Sequence, residues 1–226
     1  MTKNKLSKRL LAAAEECREG SFIADVGTDH ALLPVYLARE GKIRGAVASD
    51  INKGPIERAK LNIGEAGLSD KIQTVLCNGL TGIEKYKPDD IFILGMGGEL
   101  IAWIIGQADF LKSKGKRLIL GPMTHPEILR KSLLSGGFHI VKEKLVHEDK
   151  LYQIIVAEFL GRSLYYTDAE LLLGKLNIEQ KHPLLPMLIE KNERVLRDII
   201  KGKNMAGESA EKEERLLAEI GAIKSK

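Results

Sequence analysis

The sequence has few of the residues from which covalent and metal-based scaffolds are built. Two cysteines, Cys17 and Cys77, occur in 226 residues, too few for a disulfide framework or a metal cage. We interpret both as reduced, small buried residues. Four of the five histidines have no metal-ligand spacing and suggest no nucleophilic triad. The sequence therefore predicts no metal cofactor.

Long hydrophobic runs are also absent. The apolar stretches are only a few residues long, whereas about 18 apolar residues are needed to cross a bilayer. Residues 1–9 are basic, and no apolar signal-peptide segment follows them. With 44% hydrophobic and 29% charged residues, the chain is typical of a soluble globular domain, alone or with an appendage. We expect a cytoplasmic protein without a membrane partner.

Charge is nearly balanced, with a formal net charge of +4, so only its local distribution is informative. Two basic clusters interrupt this balance, and such clusters favour contacts with phosphate groups. They comprise Lys3, Lys5, Lys8 and Arg9, and Lys112, Lys114, Lys116 and Arg117. Solvated helix ends and loops explain either cluster equally well when it is taken alone.

From about residue 21 to residue 160, short apolar runs alternate with amphipathic stretches. The runs typical of strands are 22–26, 46–49, 72–76, 91–94 and 117–120, and the stretches typical of helices lie near 31–40, 55–66, 98–112 and 125–135. This alternation predicts βαβ units and a parallel sheet that is buried on both faces. Two further strand-like runs, 138–147 and 151–160, are separated by only three residues, so they must form an antiparallel hairpin.

The last part of the chain has a helical pattern instead. Thr167 and Glu170 are spaced as a capping box that opens a helix. Apolar residues then recur at heptad-like spacing, at Leu188, Val195 and Ile199. A loop at 203–207 separates them from a final amphipathic helix, and the pattern predicts an antiparallel helical hairpin.

Ligands of an open parallel sheet bind beyond the carboxyl ends of its strands, so the residues after each predicted strand are candidates for a site. The first strand is followed by a short polar turn, which contains Asp25, Gly27, Thr28, Asp29 and His30. Asp29 stands where a dinucleotide fingerprint has its second glycine, and its charge would repel a pyrophosphate. A cofactor with cationic groups, such as S-adenosylmethionine, fits better. Capping of the next helix by Thr28 or Asp29 is the alternative.

The next two strands end in residues suited to a nucleoside. Asp50 follows the second strand at the position where such folds hold ribose hydroxyls, although it also qualifies as a helix cap. Asn78 and Gly79 follow the third strand, where an amide and a bare backbone suit an adenine edge. The same Asn-Gly pair is an ordinary turn sequence.

The fourth strand is followed by Gly95, Met96, Gly97 and Gly98. Three glycines in four residues favour a close approach to the backbone, which we interpret as room for a flat base beside a methyl group. A loose turn between strand and helix is the alternative.

Together with residues 6–10 and 120–123, these four segments resemble the bacterial tRNA (adenine-22-N1)-methyltransferase family over most of residues 5–160. The resemblance implies an α/β class I methyltransferase domain over 1–161, with a Rossmann-like, mostly parallel seven-stranded sheet whose last strand is antiparallel. It also implies a small, coiled-coil-like helical domain over 162–226.

The resemblance further implies methyl transfer from S-adenosylmethionine to N1 of adenine 22 in the D-loop region of tRNA. The implied cofactor residues lie at four strand ends: Asp25, Gly27, Thr28, Asp29, Asp50, Ile51, Asn78, Gly79, Gly95, Met96 and Gly97. Asp29 and His30 are the catalytic candidates, and the implied RNA-binding residues are Lys5, Lys8, Arg9, Lys114, Lys116 and Arg117. The Asn-Pro-Pro-aromatic motif of amino-methylating relatives is absent, which leaves the residue that stacks on the base unassigned. A methyltransferase of small molecules or proteins, and a non-catalytic tRNA-binding protein, remain as alternatives.

Overall fold

The computed structural model describes residues 6–224 of the chain. These residues form two compact units that divide between Leu164 and Tyr165. The first unit contains the sheet and its flanking helices, and the second is helical.

Seven strands make up the sheet of the first unit. They are β1 (Ser21–Val26), β2 (Ile43–Asp50), β3 (Ile72–Leu76), β4 (Asp90–Leu94), β5 (Arg117–Gly121), β6 (Phe138–His147) and β7 (Leu151–Phe159). Their order is β3-β2-β1-β4-β5-β7-β6. Neighbours among β1 to β5 pair in parallel, whereas β7 runs antiparallel to both β5 and β6. The predicted fold class, with its antiparallel last pair, is confirmed.

The helices of the first unit cover both faces of the sheet, as its apolar strands require. They are α1 (Lys8–Ala14), α2 (Leu32–Arg39), α3 (Lys53–Glu65), α4 (Gly98–Gly106) and α5 (Pro126–Ser135). Ile91, Phe92 and Ile93 in β4 have no exposed surface, which explains why this strand is an unbroken apolar run.

Two features of these helices differ from the sequence prediction. Helix α1 was not predicted as a helix, although Ser7 caps it by accepting a hydrogen bond from the Leu10 amide. The helix expected over 98–112 ends at Gly106, and a separate 3-10 turn follows at Asp109–Leu111. Gly106 lowers the helix propensity at this position by about 1 kcal/mol relative to alanine, which favours an end of the helix here.

The second unit consists of α6 (Asp168–Leu173), α7 (Lys175–Glu179), α8 (Leu185–Met205) and α9 (Glu211–Lys224). The capping box of Thr167 and Glu170 is present with both of its hydrogen bonds. The loop expected at 203–207 was placed too early, because α8 continues through Met205 and the chain turns at Gly207, whose φ is +72°.

The heptad pattern predicted for α8 was wrong in part. Leu188 is buried, but Val195 and Ile199 are 45% and 41% exposed. The buried face is formed by Leu185, Leu188, Ile189 and Leu196, the wider stripe of a helix packed in a small bundle. None of the helices described between residues 6 and 224 is long and apolar enough to cross a membrane.

A fully buried ion pair joins α5 to the hairpin of β6 and β7. The Nε atom of Arg130 donates to Glu143 over 2.7 Å, and both side chains have no exposed surface. A second guanidinium nitrogen of Arg130 donates to Gln153 over 2.7 Å. Removing one member of such a pair leaves the other charge buried without its partner.

We therefore expect Arg130→Met to lower the free energy of unfolding by about 3–5 kcal/mol. Arg117→Met is the matched control, because its pair with Glu158 is partly exposed (27% and 32%) and such pairs contribute about 0–1 kcal/mol. Urea denaturation measures both variants. Equal losses in the two variants would contradict the assignment, and Arg130→Met combined with Glu143→Leu should recover most of the loss.

Candidate active site

The strand order places one crevice at the carboxyl edge of the sheet. Strand β1 lies between β2 and β4, so the chain leaves β1 toward one side of the sheet and returns to its other side. Open α/β sheets bind ligands at such a point. The carboxyl ends of β1, β2, β3 and β4 and the turns after them all open onto this edge, and they contain every predicted cofactor residue.

Asp25 is the buried carboxylate of the crevice. It is the penultimate residue of β1, is 6% exposed, and accepts a short hydrogen bond from the Thr28 hydroxyl. Burial raises the pKa of Asp25 to about 6, the Thr28 hydrogen bond opposes this, and the neighbouring charge of Asp50 adds to it. An ionised Asp25 thus adds unfavourable buried charge to the crevice, which a cationic ligand would relieve.

The turn after β1 is tight because two segments meet there. Gly27 has a φ of +73°, and a Cβ on it would lie 2.3 Å from Cε of Met96. Helix α2 begins at Leu32 without any side-chain cap. The alternative interpretation of Thr28 and Asp29 as caps of this helix is therefore wrong, and Thr28 holds Asp25 instead.

Asp29 and His30, the predicted catalytic pair, lie next to each other at the rim. The Asp29 carboxylate is 65% exposed and contacts His30 Nε2 at 3.5 Å and Arg58 Nη2 at 3.1 Å. Sequence analysis missed Arg58, which lies on α3. Its guanidinium offsets the negative charge of Asp29, so the repulsion of a pyrophosphate at this position is weaker than expected.

Asp50 ends β2 in a half-buried position. Its Oδ1 atom accepts a hydrogen bond from the Asn52 amide at 2.8 Å. Helix α3 has no side-chain cap, so Asp50 does not cap it. The next residue, Ile51, is 61% exposed, which leaves an apolar surface beside the carboxylate.

Asn78 and Gly79 line a cavity of about 460 Å³ between the turn after β3 and helix α4. Gly79 has a φ of +55°, and a Cβ there would lie 3.3 Å from the side chain of Ile104. Trp103, half exposed, lines the same cavity. An amide, a bare backbone and apolar walls together suit a flat heterocycle.

The glycines after β4 have a packing reason that sequence analysis did not anticipate. A Cβ on Gly98 would lie 2.2 Å from the carbonyl oxygen of His125, and one on Gly97 would lie 3.0 Å from the Thr124 hydroxyl. Gly98 also donates its amide to the Thr124 carbonyl at 2.8 Å. These two glycines let the turns after β4 and β5 pack together, whereas Gly95, with a φ of +83°, makes the bend itself.

His125, to which sequence analysis assigned no role, follows β5 and lies against the turn after β4. It precedes α5 in a left-handed conformation (φ 50°), and its Nδ1 lies 3.0 Å from Glu127. The hydrogen bond and charge of Glu127 raise the pKa of His125. The signal for His125 in the sequence is its position in the turn after the fifth predicted strand.

The predicted RNA-binding residues separate into two places. Lys8 and Arg9 lie at the carboxyl edge, where Nη1 of Arg9 is 3.4 Å from the position of a Cβ on Gly95. Lys5 lies outside the described residues. The cluster with Lys114, Lys116 and Arg117 is at the opposite edge, because Arg117 begins β5.

The second basic cluster is also engaged in contacts within the fold. Arg117 pairs with Glu158, and Lys116 donates to the Pro88 carbonyl. The structure thus brings Lys8 and Arg9, but not the second cluster, to the crevice. Within residues 6–224 no group of three or more His, Cys, Asp or Glu side chains is arranged to hold a metal ion.

Comparison with known proteins identifies the family. Residues 6–155 match a family model described as a methyltransferase domain. Over 178 residues the chain is 40% identical to the tRNA (adenine(22)-N(1))-methyltransferase of Bacillus subtilis. The aligned residues are 78% of this chain and 74% of that protein. The chain belongs to this family. The resemblance inferred from the sequence is confirmed.

Solved structures of relatives share the whole architecture. The Bacillus subtilis m1A22 tRNA methyltransferase TrmK superposes with a TM-score of 0.82 at 32% identity over 98% of both chains. The Streptococcus pneumoniae protein Sp1610, solved in complex with S-adenosyl-L-methionine, superposes with a TM-score of 0.85 at 31% identity, over 96% of this chain and 99% of that one.

The burial of Asp25 predicts that Asp25→Asn stabilises the ligand-free protein at pH 8. Folding raises the pKa of Asp25 from 3.8 to about 6, so this group's contribution to stability is present below pH 3.8 and is lost as pH rises to 6. The loss amounts to at most about 3 kcal/mol, at 1.36 kcal/mol for each pKa unit, and an asparagine avoids it.

Urea denaturation at several pH values tests this prediction. The stability advantage of Asp25→Asn should be full at pH 8 and disappear near pH 4, where the wild-type carboxyl is protonated. A variant that is no more stable than wild type at pH 8 would show that Asp25 is not a strained buried charge.

Proposed function

We propose that this protein transfers a methyl group from S-adenosylmethionine to N1 of adenine 22 in tRNA. The observation that supports it most is that Asp25 and Asp50 lie at the ends of the adjacent strands β1 and β2, in a chain 40% identical to a tRNA (adenine(22)-N(1))-methyltransferase. We also infer that it acts in the cytoplasm. Its catalytic domain would span residues 1–161, and a helical domain would span 162–226.

The residues of the crevice fit the cofactor. Buried Asp25 suits the ammonium group of the cofactor's amino-acid end, and Asp50 suits the two ribose hydroxyls, from which a carboxylate accepts strong hydrogen bonds. Asn78 and Gly79 suit the adenine, and exposed Ile51 provides an apolar surface next to it. When bound, S-adenosylmethionine supplies an electrophilic methyl group on a sulfonium.

The chain's own contribution is alignment and electrostatics. Adenine N1 is nucleophilic without deprotonation, so no general base is required, and the turn of Gly95 to Gly97 leaves room for a base to approach. N1 lies on the base-pairing edge, so the adenine must be unpaired or extruded before reaction. Asp29, which contacts Arg58 and His30, would accept from the adenine amino group or stabilise the cation that methylation creates.

Methylation of an unmodified tRNA transcript tests the proposed function directly. We expect the purified protein with S-adenosylmethionine to form N1-methyladenosine at position 22, located by a reverse-transcription stop and mass spectrometry. A transcript with guanine at position 22 is the matched control and should stay unmodified. Methylation elsewhere, or only of small amines and proteins, would contradict the substrate, and no calorimetric heat with S-adenosylmethionine would contradict catalysis.

Substitutions of Asp50 and Asp29 should affect different steps, cofactor binding and catalysis respectively. We expect Asp50→Ala to weaken cofactor binding by about 10-fold to 100-fold, because a hydrogen bond to a charged group contributes about 1.5–3 kcal/mol. Asp29→Ala should keep cofactor affinity and lower kcat. Calorimetry and single-turnover methylation measure the two effects.

Asp70→Ala is the control for these variants, since Asp70 is an exposed acid just before β3, at the amino edge of the sheet. It should leave both measurements unchanged. Full activity of Asp29→Ala with bound cofactor would remove Asp29 from the catalytic machinery.

A further inference from the structure

The hairpin of β6 and β7 extends past the carboxyl edge of the parallel strands. Leu120, near the end of β5, pairs with Ile155 of β7. Tyr152 comes three residues earlier on β7, and a strand rises about 3.4 Å per residue. Tyr152 and the turn before it therefore lie about 10 Å beyond Leu120 along β7, on the crevice side of the sheet.

Helix α1 is attached to this hairpin at both of its ends, which positions Arg9 near the hairpin tip. The Lys8 amide donates to the Glu148 carboxylate at 3.0 Å. After the far end of α1, the buried Glu16 pairs with Lys142 and Lys144 of β6. Because the helix is held at both ends, the position of Arg9 relative to the tip is defined.

Two cations share the ring of Tyr152. The guanidinium carbon of Arg9 and Nζ of Lys150 each lie 5.3 Å from the ring centroid. Within residues 6–224, neither cation has an ion pair with a carboxylate. Glu148 accepts a hydrogen bond from the Lys8 amide, and Asp149 accepts one from the Tyr152 hydroxyl. Both acids keep their charge, and the Tyr152 hydrogen bond, helped by Lys150, lowers the pKa of Asp149.

An aromatic ring positions a cation without cancelling its charge, unlike a carboxylate. Arg9 and Lys150 are therefore held by the ring rather than by an ion pair, and they can contact a ligand outside the fold. Arg9 also lies against the Gly95 turn, which borders the proposed methyl-transfer site. Positioned cations at the mouth of a crevice are suited to a phosphodiester.

We propose that Arg9 and Lys150 bind the RNA backbone phosphates next to the target adenine, and that Tyr152 is the positioning residue that holds both cations. This inference rests on the proposed tRNA substrate and names the part of the protein that receives the strand. Its contact is with phosphate, so it contributes affinity and register rather than base selection.

The test measures binding of an unmodified tRNA transcript at several salt concentrations. Arg9→Gln combined with Lys150→Gln should weaken binding about tenfold or more and reduce the slope of log affinity against log salt by about 1.5, since each phosphate contact contributes about 0.7–0.9. Lys87→Gln, which removes an exposed cation from the amino edge, is the matched control and should change neither. An unchanged slope in the double variant would overturn the proposal.

Substitution of the ring separates positioning from general stability. Tyr152→Leu should raise KM for tRNA several-fold, with kcat and affinity for S-adenosylmethionine kept within about twofold. Tyr152→Phe retains the ring and loses only the hydroxyl bond to Asp149, so it should behave as wild type. A loss in Tyr152→Phe equal to that in Tyr152→Leu would overturn the role of the ring.

These outcomes are distinguishable from failure of the proposed function. If wild type does not methylate adenine 22, the substrate is wrong whatever the variants do. If wild type methylates it and the double variant binds and methylates as well as wild type does, only the phosphate contact is wrong.

Discussion

The arrangement of the crevice depends on one buried carboxylate. Asp25 lies at the end of a strand whose other residues are mostly buried, and among residues 6–224 the Thr28 hydroxyl alone donates a side-chain hydrogen bond to it. Desolvation works against its charge. A fold that retains such a group lowers its own stability when empty, and that cost is offset when a cation binds. The neighbouring Asp50 increases both the cost and the gain.

The topology then places the carboxylates proposed to hold the cofactor and the cations proposed to hold phosphate on different sides of β4. The carboxylates lie at the ends of β1 and β2, on one side of β4, and the cations of α1 and the hairpin tip lie on the side of β5 and β7. The Gly95 turn after β4 lies between them. A cationic cofactor and a polyanionic substrate can therefore approach one point from two sides without competing for the same groups.

Much of this fold could be predicted because parallel strands buried on both faces leave a strong signal. The unbroken apolar run of Ile91 to Leu94 indicates a strand that is buried on both faces. The three-residue connection of the hairpin requires an antiparallel pair. Both signals are local in sequence. The strand ends followed directly, since parallel strands bring their carboxyl ends to one edge. The family resemblance added the substrate, which no residue pattern specifies alone.

What escaped prediction depends on contacts between segments far apart in sequence. Arg58 partners Asp29, and His125 packs against Gly98, only because the chain folds back on itself. The glycines after β4 illustrate this: their spacing indicated close approach correctly, but not that the turn after β5 is what approaches Gly97 and Gly98. The two basic clusters are equivalent in composition. The direction of the strands places one at the carboxyl edge of the sheet and the other at the amino edge.

The separation of the charges also bears on the release of the products. Methyl transfer removes the positive charge of the sulfonium on the side of Asp25 and Asp50 and creates one on the base, which lies toward the cations. The carboxylates thus interact more strongly with the reactant form of the cofactor than with its product, and Arg9 and Lys150 repel the methylated base while still attracting its phosphates. In the proposed mechanism Asp29 compensates the new charge during the reaction, and its pairing with Arg58 limits how far it can do so. Such a balance favours release of a product that would otherwise be held by the same phosphate contacts as the substrate.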